Sequence, residues 1–584
     1  MRFLPRLHGR CPRCRLRPIG SWRSRGGPRG VLRYVAALAA IVLATGFAAA
    51  GGLPIAAKKT VCTVTVNSAD EKETFRKALG PGDYDFVELV EHGRHDWLES
   101  ACRTGIRCDM LVISGHYDGG NEFFSDRTEA REFLPVDELE RVSCSQSCPG
   151  LFSRLKEVYL FGCNTLNPEP NAFPSAEIGR SLQRAGFPRG EAERMTRTIA
   201  ERHGESSKDR MRLIFRDVPA IYGFSSVAPL GPVAGSLLQR HLVVNGTAEV
   251  ATGRPSARLL SAFSAHAMTV TTGLRDSDPK AAHRRDVCQF ADERLAPAQK
   301  VAFVHSLFER DAAEARMFLP RLERFAVTLD EATRATPAVA AVLHDIATDE
   351  AARTRYLDLA RDADSAAVRA RMIALAQNFG WLSAQSERDE LARMWNEQLA
   401  SGPITPAEID LACGLNAQRQ YDTLLPALER TPAVLDVPQA ALLACLGSPG
   451  GRDLVLRAVT SPDERDAAYV QAYLRHRPLD EGDEWRDVMA DIASVQVAHT
   501  QARALHALAY QRLSDPDSLQ ELVRLYPRTE SVGAQTAIAG ILLRSDYQTI
   551  ASAEVIETLR SRRVSAGSAT QDAIDVLIRR MQRP

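Results

Sequence analysis

Two residue types able to do covalent chemistry stand at the ends of two similar apolar runs. His116 follows "DMLVISG" (109–115) and Cys163 follows "EVYLFG" (157–162), each directly after a glycine, and they lie 47 residues apart. A thiol of ordinary acidity, with a pKa of about 8.5, is only partly ionised near neutrality. A neighbouring imidazole favours the thiolate, or takes the thiol proton during attack on a carbonyl. That assigns Cys163 as nucleophile and His116 as general acid/base. Gly115 and Gly162 are expected to let the backbone turn sharply before each. Backbone N–H groups around Tyr117 and Asn164 are candidates for stabilising an oxyanion or supporting the loops. Asp118 and Glu122 are candidates for orienting the histidine or lining a substrate pocket, and each also has the simpler reading of a solvated turn residue. Taken singly, a strand cysteine is a small buried hydrophobe and a strand-end histidine is structural. The matching contexts of the two carry the chemical reading.

The elements that must position this pair alternate between two patterns from about residue 58 to 278. "TVCTVTVNS" (60–68), "YDFVELV" (84–90), "DMLVISG", "EVYLFG" and "PAIYGFSSV" (219–227) are short apolar runs ending in turn formers. "EKETFRKAL" (71–79), "WLESACR" (97–103) and "SAEIGRSLQRAG" (175–186) have helical composition. This alternation predicts an α/β domain, a mostly parallel sheet covered by helices on both faces. The carboxyl ends of parallel strands share one edge, so His116 and Cys163 meet there if their strands are neighbours. The charged segment 190–210 is expected to be a solvent-facing helix, and His203 and His241 to be structural.

The order strand-His, hairpin-like insert, strand-Cys resembles the caspase-like fold of clan CD cysteine peptidases, and among them the CHAT domains. A histidine about 50 residues before the cysteine is the caspase arrangement. "FLPVDELERV" (133–142) looks like the hairpin and helix between the two, "FGCNT" (161–165) like the nucleophile strand end, and "PAIYGFSSVAP" (219–229) like the next strand. The resemblance covers about 59–275 and implies a caspase-like three-layer domain and a cysteine endopeptidase with a His116–Cys163 dyad. Two departures stand out. Tyr117 follows the histidine where many relatives have glycine, and Leu166 follows Cys-Asn-Thr where CHAT-like sequences often have glycine. The Gln-Ala that precedes the caspase cysteine is absent, so specificity for aspartate does not transfer.

From 288 to 584 strand-like runs nearly vanish. Val368, Met372, Leu375, Ala376 and Phe379 follow helical spacing, as do Leu519, Leu522, Val523 and Tyr526, and Ala534, Ile538, Ile541 and Leu542. Ser461-Pro462-Asp463-Glu464 and Asp515-Pro516 read as helix starts, with the polar residue as N-cap. Units of roughly 35–50 residues resemble a degenerate HEAT-like α-solenoid, with a non-repetitive helical bundle as the alternative. Either supplies a surface for a partner protein.

The chain's 584 residues exceed what one core usually organises, and its 45% hydrophobic and 25% charged content is that of a folded soluble protein. A formal net charge of zero gives no electrostatic argument for nucleic acid. Residues 1–57 combine a basic stretch with the uncharged run 35–50, which is short for a membrane span. They are expected to be a cleaved secretory signal for a periplasmic or secreted protein, with an inner-membrane anchor as the alternative and a translation start near Val31 as a further one. Export agrees with 11 cysteines, among which Cys102/Cys108 and Cys144/Cys148 are spaced closely enough to pair. Cys11 and Cys14 form a lone C-x-x-C with no second half. No metal motif or phosphate-binding loop is present in the sequence, so neither a metal nor a cofactor is expected. The competing functions are a peptidase acting on protein or peptide substrates, a caspase-like pseudoenzyme acting as a protein-binding scaffold, and an unrelated flavodoxin-like binding domain.

Overall fold

The computed structural model describes residues 58–90, 98–126, 132–145, 148, 150–170, 174–428, 434–564 and 573–582. The basic and apolar segment 1–57, including the run 35–50 and the Cys11/Cys14 pair, lies outside them. Among the described residues no helix is long and apolar enough to cross a membrane.

The N-terminal part is an α/β structure. Its strands are β1 (Lys59–Thr65), β2 (Tyr84–Glu88), β3 (Met110–Ser114), β4 (His116–Tyr117), β5 (Glu122–Phe124), β6 (Phe133–Pro135), β7 (Glu157–Phe161), β8 (Ala220–Phe224) and β9 (Met268–Thr271). Six of them form one sheet in the order β2-β1-β3-β7-β8-β9, parallel except for β9. β3 and β7 lie at its centre, and all five residues of each are buried. That burial explains their unbroken apolar runs, because a parallel strand covered on both faces has no solvent side to mark with polar residues.

Alternation along the strands sorts their side chains into two cores. Leu111, Ile113, Val158 and Leu160 pack on one face with Cys62, Val64 and Ile221. Met110, Val112, Tyr159 and Phe161 pack on the other with Val61, Tyr222 and Phe224. The second face is covered by α1 (Asp70–Ala78), through Phe75, and by a later helix, Gly231–Asn245, through Leu238. The first carries α2 (Glu99–Arg103), α3 (Val136–Cys144) and, past α4 (Ser175–Arg184) and α5 (Arg189–His203), α6 (Ser207–Ile214). The helix Gly231–Asn245 is α7, followed by α8 (Ala257–Ala262) and α9 (Ala281–Ala291).

The expected solvent-facing helix at 190–210 is corrected in part. Ala192, Thr196, Ile199 and His203 recur at helical spacing along α5 and are buried. Charged residues filled the other positions and hid a complete inner stripe. Ser206 then caps α6 in a capping box with Asp209, and Arg210 is buried.

Beyond α9 the chain is helical. The helices Val437–Cys445, Asp466–His476, Ala498–Ala507, Val532–Arg544 and Ala573–Met581 each pack on the next in that order. A second row includes Asp483–Ser494 on Pro516–Leu525. Asp515 caps its helix through the Ser518 N–H, with Pro516 at the first position. Ser461 does not cap one: its Oγ accepts the Asp463 N–H, and the helix begins later, at Asp466. The serine-proline pair builds a turn before the helix instead.

The helical region is not loosely tethered, because Lys59–Pro584 forms one compact unit. Arg316 pairs with Glu177 of α4, and Arg321 with Glu140 of α3. A disulfide joins Cys144 of α3 to Cys288 of α9. The expected short-range pairs Cys102/Cys108 and Cys144/Cys148 are therefore corrected. Cys108 enters β3 beside β1 and pairs with Cys62, while Cys102 pairs with Cys148. The first bridge joins β1 to the residues leading into β3, its partner in the sheet, and the second joins α2 to the segment after α3, both within the Cα separation a disulfide needs. Cys413 pairs with Cys445 between helices of the C-terminal region. Replacing Cys144 and Cys288 together by alanine is expected to lower stability by about 2–4 kcal/mol in urea denaturation monitored by circular dichroism.

Candidate active site

β3 and β7 pair in parallel with Ser114 opposite Phe161, and the Gly115 N–H extends the ladder by donating to the Phe161 carbonyl at 3.1 Å. His116 and Cys163 thus leave neighbouring strand ends at equivalent positions. The two glycines contribute differently from expectation. Neither has a positive φ, so they do not make the turn. They permit close approach: a Cβ at Gly162 would lie 2.8 Å from the Gly115 carbonyl oxygen and 3.0 Å from the Tyr117 Cβ. The turn is made one residue after the cysteine, by Asn164 at φ 59°, a left-handed conformation that asparagine tolerates better than most residues.

A latch holds this turn to β8. Thr165, fully buried, donates to the Gly162 carbonyl at 3.2 Å and accepts the Phe224 N–H at 3.1 Å. Asn164 N–H donates to Ser226, and Leu166 N–H to Phe224. Leu166 is buried against Gly223, where an added Cβ would meet its Cγ at 2.9 Å. Leucine fits at 166 because residue 223 of the adjacent strand is glycine.

Four disulfides pair eight cysteines, and Cys163 is the free cysteine among the described residues. It is half-buried, and its Sγ accepts the Ala228 N–H at 3.3 Å. His116 is also half-buried. Its ring lies 5.4 Å from that of Phe124, and its Nε2 is 3.6 Å from a carboxylate oxygen of Asp126, which is 72% exposed. No hydrogen bond joins His116 to Cys163 among the described residues.

β4, β5 and β6 form a small antiparallel sheet that carries His116. The Asp118 N–H donates to the Glu122 carbonyl at 3.3 Å. Because bonded and non-bonded pairs alternate along an antiparallel ladder, the Tyr117 N–H points away from β5, to the open edge of β4. The Tyr117 side chain turns inward against Phe123, and burial pushes its hydroxyl pKa up to about 12. Tyrosine after the histidine therefore fills core without occupying the mouth of the site.

Asp118 braces the loop. Its Oδ1 accepts the N–H groups of Gly120, Asn121 and Glu122 at 3.0, 2.7 and 3.1 Å. Burial opposes its ionisation, but these donors prevail and hold it below the usual carboxylate range. Glu122, half-buried on β5, pairs in register with Pro135. Two groups from α6 fasten the loop from outside. Ser207 Oγ donates to the Gly119 carbonyl at 3.1 Å, and Arg210 Nη1 donates to the Gly120 carbonyl. Arg210 also meets Glu140 at 2.9 Å and Asp137 at 2.8 Å, and Arg321 of the helix Leu319–Thr328 shares Glu140 at 3.0 Å.

The sequence reading missed Arg210, Asp126 and Ala228. Arg210 was hidden in a charged segment, and the other two had only the ordinary signature of turn residues. His203 is buried against His283, with Nδ1 atoms 3.3 Å apart. For a metal ion, His305, Glu309 and Asp349 bring ligand atoms within 4.8 Å of one another, and one Asp349 oxygen already caps a helix through the Ala352 N–H. A cavity of about 500 Å³ lies at the seam of α3, α9 and Leu319–Thr328, lined by Phe290, Phe325 and Leu329, and neither His116 nor Cys163 borders it.

The chain matches no known family model, no curated protein and no solved structure.

Glu71 of α1 is buried beside Ser114 at the end of β3, and desolvation raises its carboxyl from 4.5 to about 7. A carboxyl raised on folding stabilises the fold in its neutral form, so that contribution is complete below 4.5 and is lost as pH rises through about 7. Glu71→Gln is expected to abolish a pH-dependent loss of roughly 3 kcal/mol, measured by urea denaturation across this window. Arg210→Met leaves the buried Glu140 carboxylate short of a partner and releases the Gly120 carbonyl. It is expected to cost about 3 kcal/mol and to speed amide exchange across 119–122, followed by hydrogen–deuterium mass spectrometry.

Proposed function

We propose that the protein is a cysteine endopeptidase of caspase-like type, with Cys163 as nucleophile and His116 as general acid/base. One observation carries this reading: the free cysteine among the described residues leaves β7 at the position equivalent to that from which His116 leaves the adjacent β3. Further support comes from the sheet order, the hairpin and helix that follow His116, and the open-edge Tyr117 N–H. The Cys163 thiolate attacks the peptide carbonyl and forms a C–S bond, while the Tyr117 N–H receives the oxyanion. Collapse breaks the C–N bond, and the leaving amine takes its proton from the His116 imidazolium. Water then gives a proton to His116 and attacks the thioester, which releases the acid and restores the thiol.

Four disulfides support an exported, oxidising location. The successive packing of the C-terminal helices supports a HEAT-like array that binds a partner protein. A second reading, a pseudoenzyme scaffold, is favoured by one detail: Cys163 Sγ is bonded to the Ala228 N–H and not to His116.

Iodoacetamide labelling of the full chain separates the two. The peptidase reading expects rapid alkylation of Cys163 at neutral pH and a fall of at least tenfold in His116→Ala. It also expects a proteolytic activity that Cys163→Ala removes. Slow labelling that is indifferent to His116 overturns the peptidase reading.

A further inference from the structure

The sulfur of Cys163 is touched by a loop with an unusual surface. From Val218 to Gln239 the chain carries no charged residue. Within this stretch Val227 and Leu230 are 70% and 69% exposed, and Val233, in the first turn of α7, is 47% exposed. Val227 directly precedes Ala228, whose N–H donates to Cys163 Sγ.

The exposure does not come from a loose loop, because both ends and the middle are anchored. Ser225 N–H donates to the Ala267 carbonyl at 3.2 Å, and the Ser226 carbonyl accepts the Asn164 N–H at 2.8 Å. Beyond Leu230, Gly231 lies so close to the β1–α1 connection that an added Cβ would fall 2.0 Å from Ser68 Oγ. Side chains held outward on a fixed backbone beside a nucleophile form a preorganised apolar lip, at which a ligand gains by covering them. The opposite side of the site is polar, with Asp126 facing His116 and Asp118 engaged with its own loop.

We infer that Val227 and Leu230 determine specificity at this site, selecting peptide substrates with an uncharged aliphatic residue on the acyl side of the scissile bond. The inference rests on the peptidase reading, since it concerns the acyl chain that Cys163 would carry. A chain with aspartate or arginine at that position would bring a charge against apolar side chains with no counter-ion on the loop, and would lose part of its hydration without compensation. An aliphatic residue covers Val227 and Leu230 and leaves no polar group unpaired.

The test uses the full chain and four peptidyl acyloxymethyl ketones that differ only in the residue next to the warhead: leucine, valine, aspartate or arginine. Labelling of Cys163 is followed by intact mass and peptide mapping, with iodoacetamide as a reagent that makes no use of the lip. The leucine and valine probes are expected to react roughly tenfold or more faster than the aspartate and arginine probes. Val227→Asp and Leu230→Asp, both surface changes, should narrow or reverse the leucine-to-arginine ratio. Rapid iodoacetamide labelling with equal rates for the four probes, or an unaltered ratio in both variants, overturns the specificity inference alone. Slow labelling by iodoacetamide and by every probe overturns the peptidase reading and this inference with it.

Discussion

The close approach of Gly115 and Gly162 is the constraint on which the arrangement depends. The ladder between β3 and β7 continues past its last regular pair only because neither residue carries a side chain there. A methyl group at 162 would force the strand ends apart against a carbonyl oxygen 2.8 Å away. With the ends held together, the register sets His116 and Cys163 each two residues past the paired Ser114 and Phe161. The latch of Thr165, the left-handed Asn164 and the Leu166–Gly223 contact convert this delivery into one fixed cysteine loop. Each of these groups limits where the sulfur can be.

The histidine loop is held in another way, by buried charge. Arg210 ties the Gly120 carbonyl to Asp137 and Glu140 of α3, and Arg321 ties Glu140 to a helix of the C-terminal region. Burial opposes the charge of Arg210, but Glu140, Glu205 and Asp137 keep the guanidinium protonated. In such surroundings a charge left without its partner is costly, which makes the network directional and tightly determined. The helical region is therefore part of what shapes the loop after His116. The Cys144–Cys288 bridge reinforces the same seam covalently.

Much of the scaffold was legible in sequence because its signals are local. The apolar runs ending at Gly115 and Gly162 became central strands, and "FLPVDELERV" became β6 and α3. Asp515-Pro516 became a capped helix start, since capping depends on a few adjacent residues. Ser461-Pro462 shows the limit: the same composition serves a turn, and where the helix begins depends on what packs beneath it. The cysteine pairings were illegible for a related reason. Spacing favoured 102 with 108 and 144 with 148, whereas the bridges join segments made adjacent by tertiary packing.

The sequence by itself determined the chemistry at hand: an imidazole and a thiol, each after a glycine and each at the end of a strand, because strand periodicity and residue type are written locally. Tertiary structure alone decided that those two strands are neighbours in register. It also decided that Arg210, 90 residues from Gly120, fastens the histidine loop, and that Ala228 with its apolar neighbours stands at the sulfur. Contacts between residues so distant in the chain arise from sheet order and helix packing, which follow from burying the two cores as a whole and leave no mark at any single position.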